Sequence, residues 1–204
     1  MGSGEQPYAL ATLAGQIRAH GHTVTIVDTN IIRNKQELVQ KIAETKAHLI
    51  GITGTTVGIQ SGCQLARTAR YILPNSIVVA GGVHVTAIPK LSLQQFPILD
   101  IICMGEGDIT VLDLIDVLEP RFAEFDFTGT SEARCAKIGE IIAEIQGLCY
   151  RGKGEAVIRT PARPLIQIWT VWLLPPSIFW EWNDILAIPN WACSVRLMKI
   201  GPIW

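Results

Sequence analysis

The sequence predicts an α/β fold, a parallel sheet with helices on both faces, and three observations carry that reading. Short apolar runs alternate with helix-like stretches from Tyr8 to Leu118. The runs are apolar throughout, as strands buried on both faces must be. Three of them end in small-residue turns: Gly54-Thr55-Thr56-Val57-Gly58, Gly81-Gly82-Val83-His84 and Gly105-Glu106-Gly107-Asp108. In a parallel sheet these turns share the edge where the strands end, and that edge is where such sheets bind ligands.

The elements follow in order. Tyr8 to His20 is a helix, because Leu10, Leu13, Ala14 and Ile17 recur at helical spacing and Gly21 supplies the stop. Thr23 to Asp28 is a β-branched strand. Asn34, with Glu37 three residues later, opens a helix to about Ala47. Leu49 to Thr53 is a strand. Ile59, Cys63, Leu65, Ala66, Ala69 and Ile72 form one helical face, closed by Pro74-Asn75. Ser76 to Ala80 and Ile98 to Cys103 are strands, with a short helix from Pro89 to Phe96 between them. Asp108 caps a helix running to Leu118, and Pro120 ends it. In the flavodoxin-like (Rossmann-like) order 2-1-3-4-5 the first strand lies inside the sheet. This chain opens on a helix, so the first strand is missing. That would leave an unpaired slot in the core, so either Met1 is not the natural start or another element fills the slot.

Residues 1–120 thus read as one α/β domain. Residues 121–166 are a connector, with a helix over Ile138 to Ile145 and a hairpin over Gly147 to Thr160 turning at Gly152-Lys153-Gly154. Residues 167–204 form a tail that holds all six tryptophans, from Trp169 to Trp204. Its Pro175-Pro176 pair breaks any helix, so a membrane span is not read there. Three readings stay open for it: a surface that docks a protein partner, a surface that faces a membrane, or a stretch read in a shifted frame.

Composition excludes several classes. Net charge is −1 with no basic run, which gives no case for nucleic acid. The first residues lack a basic region followed by an apolar stretch, so no signal peptide is read and the expected location is cytoplasmic. The five cysteines are widely spaced, with no CxxC and no CxxxCxxC, so neither a metal site nor an iron–sulfur cluster is expected. Neither GxGxxG nor GxxxxGK[ST] is present. His20, His22 and His48 sit at helix or loop ends and read as solvated. His84 lies in the turn after Gly81-Gly82. Taken singly, each turn also has a plain structural reading: tight turns for the glycines, helix starts for the threonines and Asp108.

Read in order, Gln6 to Ala14, His20-Gly21-His22 with Val27-Asp28, Gly51 to Thr56, Gly81 to Pro89 and Met104 to Asp108 resemble the N-terminal cobalamin-binding domain of cobalamin-dependent radical SAM enzymes. Gly147 to Arg151 and Thr160 to Pro164 resemble the connector before the catalytic barrel of that family. The resemblance covers roughly residues 5–166, and residues after about 166 match nothing in the family. It implies a corrin lying on the carboxyl edge of the sheet. Thr53, Thr55 and Thr56 would form the hydroxyl-bearing turn. Gly81 and Gly82 would make room for the nucleotide tail, with His84 in the same turn. Gly105, Glu106 and Gly107 would form the loop near the corrin rim. The DxHxxG signature of the classical cobalamin methyltransferases and the radical SAM CxxxCxxC are both absent, so the chain is expected to be a cobalamin-binding module, a fragment without its own catalytic centre. Two alternatives stand beside it: a cofactor-free interaction module that docks through the tail, and an enzyme that binds a nucleotide or sugar nucleotide at the same edge.

Overall fold

A computed structural model describes residues 8–28, 32, 34–125, 131–166 and 196–202. Its strands are β1 (His22–Asp28), β2 (Leu49–Thr53), β3 (Ile77–Gly81), β4 (Ile101–Cys103), β5 (Leu148–Arg151), β6 (Val157–Arg159) and β7 (Arg196–Pro202). They form one sheet in the order β1-β7-β2-β3-β4-β5-β6. The helices are α1 (Tyr8–Ala19), α2 (Lys35–Thr45), α3 (Ile59–Ile72), α4 (Val83–Ala87), α5 (Pro89–Gln95), α6 (Gly107–Leu118) and α7 (Ser131–Ile142).

The central slot is filled from the far end of the chain. β7 pairs antiparallel with β1 on one side and with β2 on the other, so that Met198 faces both Ile26 and Gly51. Backbone groups left unpaired inside a covered sheet cost about 1–3 kcal/mol each, and β7 removes that cost for both neighbours. β2, β3 and β4 run parallel, and β1 shares their direction because both β1 and β2 oppose β7. The sheet is therefore mixed. β5 and β6 extend it antiparallel beyond β4, which joins the predicted hairpin to the same sheet.

Strand residues alternate between two cores, as the pleat requires. Ile50, Ile52, Val78, Ala80 and Ile102 pack with Ile42 of α2, Cys63 and Ala66 of α3, Val85 of α4 and Leu93 of α5. Leu49, Ile77, Val79, Ile101 and Cys103 pack on the other face with Ile17 of α1, Leu114 of α6 and Ile138 of α7. Both faces of β2, β3 and β4 are thus apolar, which explains their unbroken hydrophobic runs.

Several local details differ from expectation. Asn34 does cap α2, its Oδ1 accepting from the Glu37 amide at 2.9 Å. Asp108 does not cap α6; the cap position is Glu106, and Asp108 lies in the first turn, where its carboxylate accepts from Gln16 Nε2 at 3.0 Å. α4 was not anticipated, because its five residues carry no readable periodicity. β4 begins only at Ile101, because the preceding Asp100 is withdrawn into a polar cluster. α7 starts at Ser131, seven residues before the predicted helix. His22 is buried rather than solvated and lies 3.5 Å from Glu119. His48 stacks on Phe122 at 4.1 Å. The readings placed on residues 167–195 and on Trp204 lie outside the described residues. Among the described residues no helix is long and apolar enough to cross a membrane.

At the amino edge of β4, Asp100 is fully buried and binds the Arg70 guanidinium, the Val78 amide at 2.8 Å and Arg134 at 3.4 Å. Burial pulls Arg70 below its ordinary pKa, with Asp100 opposing the pull. Nearby, Arg151 of β5 donates to the carbonyls of Leu93, Phe96 and Leu99, closing the open end of α5. These two arginine clusters attach α3, α5, α7 and the hairpin to one another.

Asp100→Ala leaves two buried guanidiniums without their carboxylate, so the urea midpoint is expected to report a loss of about 3–5 kcal/mol. Met198→Pro removes a ladder amide in the middle of the sheet and is expected to abolish cooperative unfolding followed by circular dichroism. Burial raises the Cys63 thiol to about 11 and the Cys103 thiol to about 12, from an ordinary 9.0. A raised folded-state pKa contributes stability that is complete below the unfolded value and is lost above it. Urea midpoints are therefore expected to hold up to about pH 9 and to fall on approach to about pH 11, a fall that Cys63→Ala reduces.

Candidate functional site

Because β2, β3 and β4 are parallel, their outgoing bends meet at one edge of the sheet. Two side-chain bonds tie the bends to one another. His84 Nδ1 lies 3.2 Å from Thr56 Oγ1, joining the bend after β3 to the bend after β2. Thr86 Oγ1 accepts from the Gly105 amide at 3.1 Å, joining α4 to the bend after β4. The positive ends of α3 and α6 open onto the same edge.

Each expected site residue can be placed. Thr53 is the last residue of β2 and pairs with Gly81, the last of β3. The Thr55 carbonyl accepts from the amides of Gly58 and Ile59 and starts α3, leaving the Thr55 residue exposed. Gly82 has φ 95°, and a Cβ there would lie 2.7 Å from Thr53 Oγ1, so this turn needs glycine twice over. Gly105 has φ 75°, and a Cβ on it or on Gly107 would meet nothing within 4 Å. A Cβ on Gly81 would find only the Cys103 carbonyl, at 4.0 Å. At Gly81, Gly105 and Gly107 there is therefore room beside the backbone where a side chain would otherwise stand. Glu106 belongs to the bend, but its carboxylate reaches away to accept from the Ile166 amide at 2.7 Å.

Three features were not readable from the motifs. Thr86, in the segment after His84, holds the bend of Gly105. Val57 and Val83 stand exposed in the bends at 83% and 70%, a pair of apolar side chains on an edge otherwise made of hydroxyls and glycines. The Nε2 of His84 is buried with no hydrogen-bond partner among the described residues. The rim thus offers a bare surface with threonine hydroxyls, backbone amides, two apolar side chains and one unsatisfied imidazole nitrogen. Such an edge suits a large flat ligand carrying peripheral polar groups. Among the described residues no cluster of His, Cys, Asp or Glu could hold a metal ion directly.

A family model described as the B12 binding domain matches residues 2–115. An uncharacterized methyltransferase of Pyrococcus horikoshii is 31% identical over 169 residues, covering 82% of this chain and 32% of that protein. The anaerobic magnesium-protoporphyrin IX monomethyl ester cyclase of Rubrivivax gelatinosus is 28% identical over 197 residues, covering 91% of this chain and 32% of its own. That coverage necessarily runs past residue 166, so similarity reaches into the stretch the sequence alone left unmatched. The chain spans about a third of the length of these relatives. Among solved structures, the cobalamin-dependent S-adenosylmethionine radical enzyme OxsB, with aqua-cobalamin and S-adenosylmethionine bound, shares the fold. Its TM-score is 0.54 at 16% identity, over 78% of this chain and 20% of that one.

Gly82→Ala forces a Cβ against Thr53 at a positive φ and is expected to lower thermal stability by about 1–3 kcal/mol. Gly107→Ala, with open space around it, is expected to shift stability by no more than about 1 kcal/mol in the same melting experiment.

Proposed function

This chain belongs to the B12-binding domain family, and on that premise we propose that its carboxyl edge holds cobalamin, as a cofactor module without a catalytic centre of its own. The observation that carries the reading is the bare rim made by three tied bends. Gly81, Gly105 and Gly107 leave space beside it, while Gly82 lies too close to Thr53 for any side chain. In this reading Thr53, Thr55 and Thr56 supply hydroxyls to the corrin and its tail. Gly81 and Gly82 let the nucleotide tail approach the backbone. Gly105, Glu106 and Gly107 shape the loop at the ring's rim. The orphaned His84 Nε2 supports it too, since a peripheral amide of the corrin would satisfy a buried atom that is otherwise costly.

When bound, the cobalt centre supplies methyl-transfer or radical chemistry. These residues would seat the ring, keep bulk away from it and orient its side chains. The names of the relatives support a role as the cofactor-holding part of a methyltransferase- or cyclase-type radical enzyme. The four described cysteines are free buried thiols, which supports a reducing, cytoplasmic setting.

The test is retention of hydroxocobalamin through a desalting column, read by corrin absorbance. Wild type is expected to retain it near one equivalent. Gly107→Leu places bulk in open space on the rim and is expected to lose retention with an unchanged melting temperature. Gly82→Leu is expected to lose it as well. Absence of corrin absorbance on the wild-type protein, or full retention by Gly107→Leu, overturns the reading.

A further inference from the structure

Glu106 stands in the bend after β4, at the cap position of α6, with φ −76° and ψ 121°. A short side-chain acceptor there, such as Asp or Asn, caps the first amides of its helix, but the longer Glu106 need not. It does not: no side-chain cap bond is made, and Oε2 accepts from the Ile166 amide instead. Ile166 closes a strap without regular secondary structure, residues 161–166, that is held at three points. The Pro161 carbonyl accepts from Gly147 N at 2.8 Å, the Arg163 guanidinium pairs with Asp113 of α6, and Ile166 is held by Glu106.

Inside the bend the Glu106 carbonyl accepts from Thr110 Oγ1 at 3.4 Å. A Cβ at Gly105 or Gly107 would meet nothing within 4 Å. Its near side is held by Thr86 through the Gly105 amide, and its far side by Glu106 through the strap. The Met104 amide, just before the bend, donates to the Gly147 carbonyl at 2.7 Å, and Gly147 in turn holds Pro161. The strap and the bend therefore share one small network.

We propose that Glu106 is a positioning residue: it acts on the cofactor by latching residues 161–166 to the bend, so that seating the corrin and docking the strap are linked. This rests on the cobalamin reading, and it moves Glu106 from the set of cofactor contacts to the latch behind them. Linkage makes the effect reciprocal: a ligand that favours the latched bend tightens the strap, and a loose strap weakens the ligand.

Two readouts in wild type, Glu106→Gln and Glu106→Ala test this. One is hydrogen exchange at the Ile166 amide; the other is the dissociation constant for hydroxocobalamin by equilibrium dialysis. Glutamine keeps an oxygen acceptor and alanine has none. Glu106→Ala is expected to speed exchange at Ile166 and to weaken hydroxocobalamin binding, each by about tenfold or more, while Glu106→Gln stays within about threefold in both. Hydroxocobalamin is expected to slow Ile166 exchange in wild type and not in Glu106→Ala. If wild type binds and Glu106→Ala binds equally well, or exchanges no faster at Ile166, the latch fails and the cofactor reading survives. If Glu106→Gln loses binding as fully as Glu106→Ala while Ile166 stays protected, the carboxylate is a direct contact and the latch is wrong. Wild type that binds no hydroxocobalamin overturns both readings.

Discussion

The parallel register of β2, β3 and β4 is the constraint on which the candidate site depends. Parallel strands must each return across a helix, so every bend that follows a strand falls on the same edge. Three bends separated by roughly two dozen residues each then become neighbours without any further instruction. Side-chain bonds do the rest: Thr56 to His84, and Thr86 to Gly105. The glycines matter because of where the register places them. Gly82 faces Thr53 across a gap too narrow for a methyl group, whereas Gly105 and Gly107 face open space.

The two edges of the sheet divide the labour. The carboxyl edge is short of bulk and carries hydroxyls, amides and exposed valines. The amino edge of β4 is charged and closed, with Asp100 between Arg70 and Arg134 and with Arg151 over the carbonyls that end α5. Breaking a buried ion pair costs far more than its net contribution to stability, so this cluster holds the helices in one arrangement. The rim's bends are tied to one another by Thr56–His84 and Thr86–Gly105, and the charged frame holds the helices behind them.

Much of this was legible in the sequence, for local reasons. β2 matches its expected residues because Leu49 to Thr53 is a short apolar run between a helix stop and a small-residue turn. α2 was announced by Asn34 and Glu37. The bends were legible as residue types, and the register needed to align them followed from the uniformly apolar strands. What was not legible depends on distant pairing. Nothing in Arg196 to Pro202 says that it belongs between Ile26 and Gly51. Glu106 looked like part of a loop facing ligand, and Asp108 like a cap; the partners that decide otherwise, Ile166 and Gln16, lie 60 and 92 residues away. His22 looked solvated because Glu119, its neighbour, is remote in sequence. Thr86 was invisible because a threonine in a short helix has no pattern of its own.

β7 also sets the order in which the molecule can be assembled. A ribosome releases β1 and β2 long before it releases residues 196–202, and those two strands can bond to β7 only after the last of them emerges. Until then a nascent chain carries all three bends but an open seam through the middle of its sheet, with two rows of unpaired amides and carbonyls exposed to any passing strand. Closing that seam joins residues as far apart as Gly51 and Met198 on one side and Ile26 and Met198 on the other, a high-contact-order step that is slow by nature.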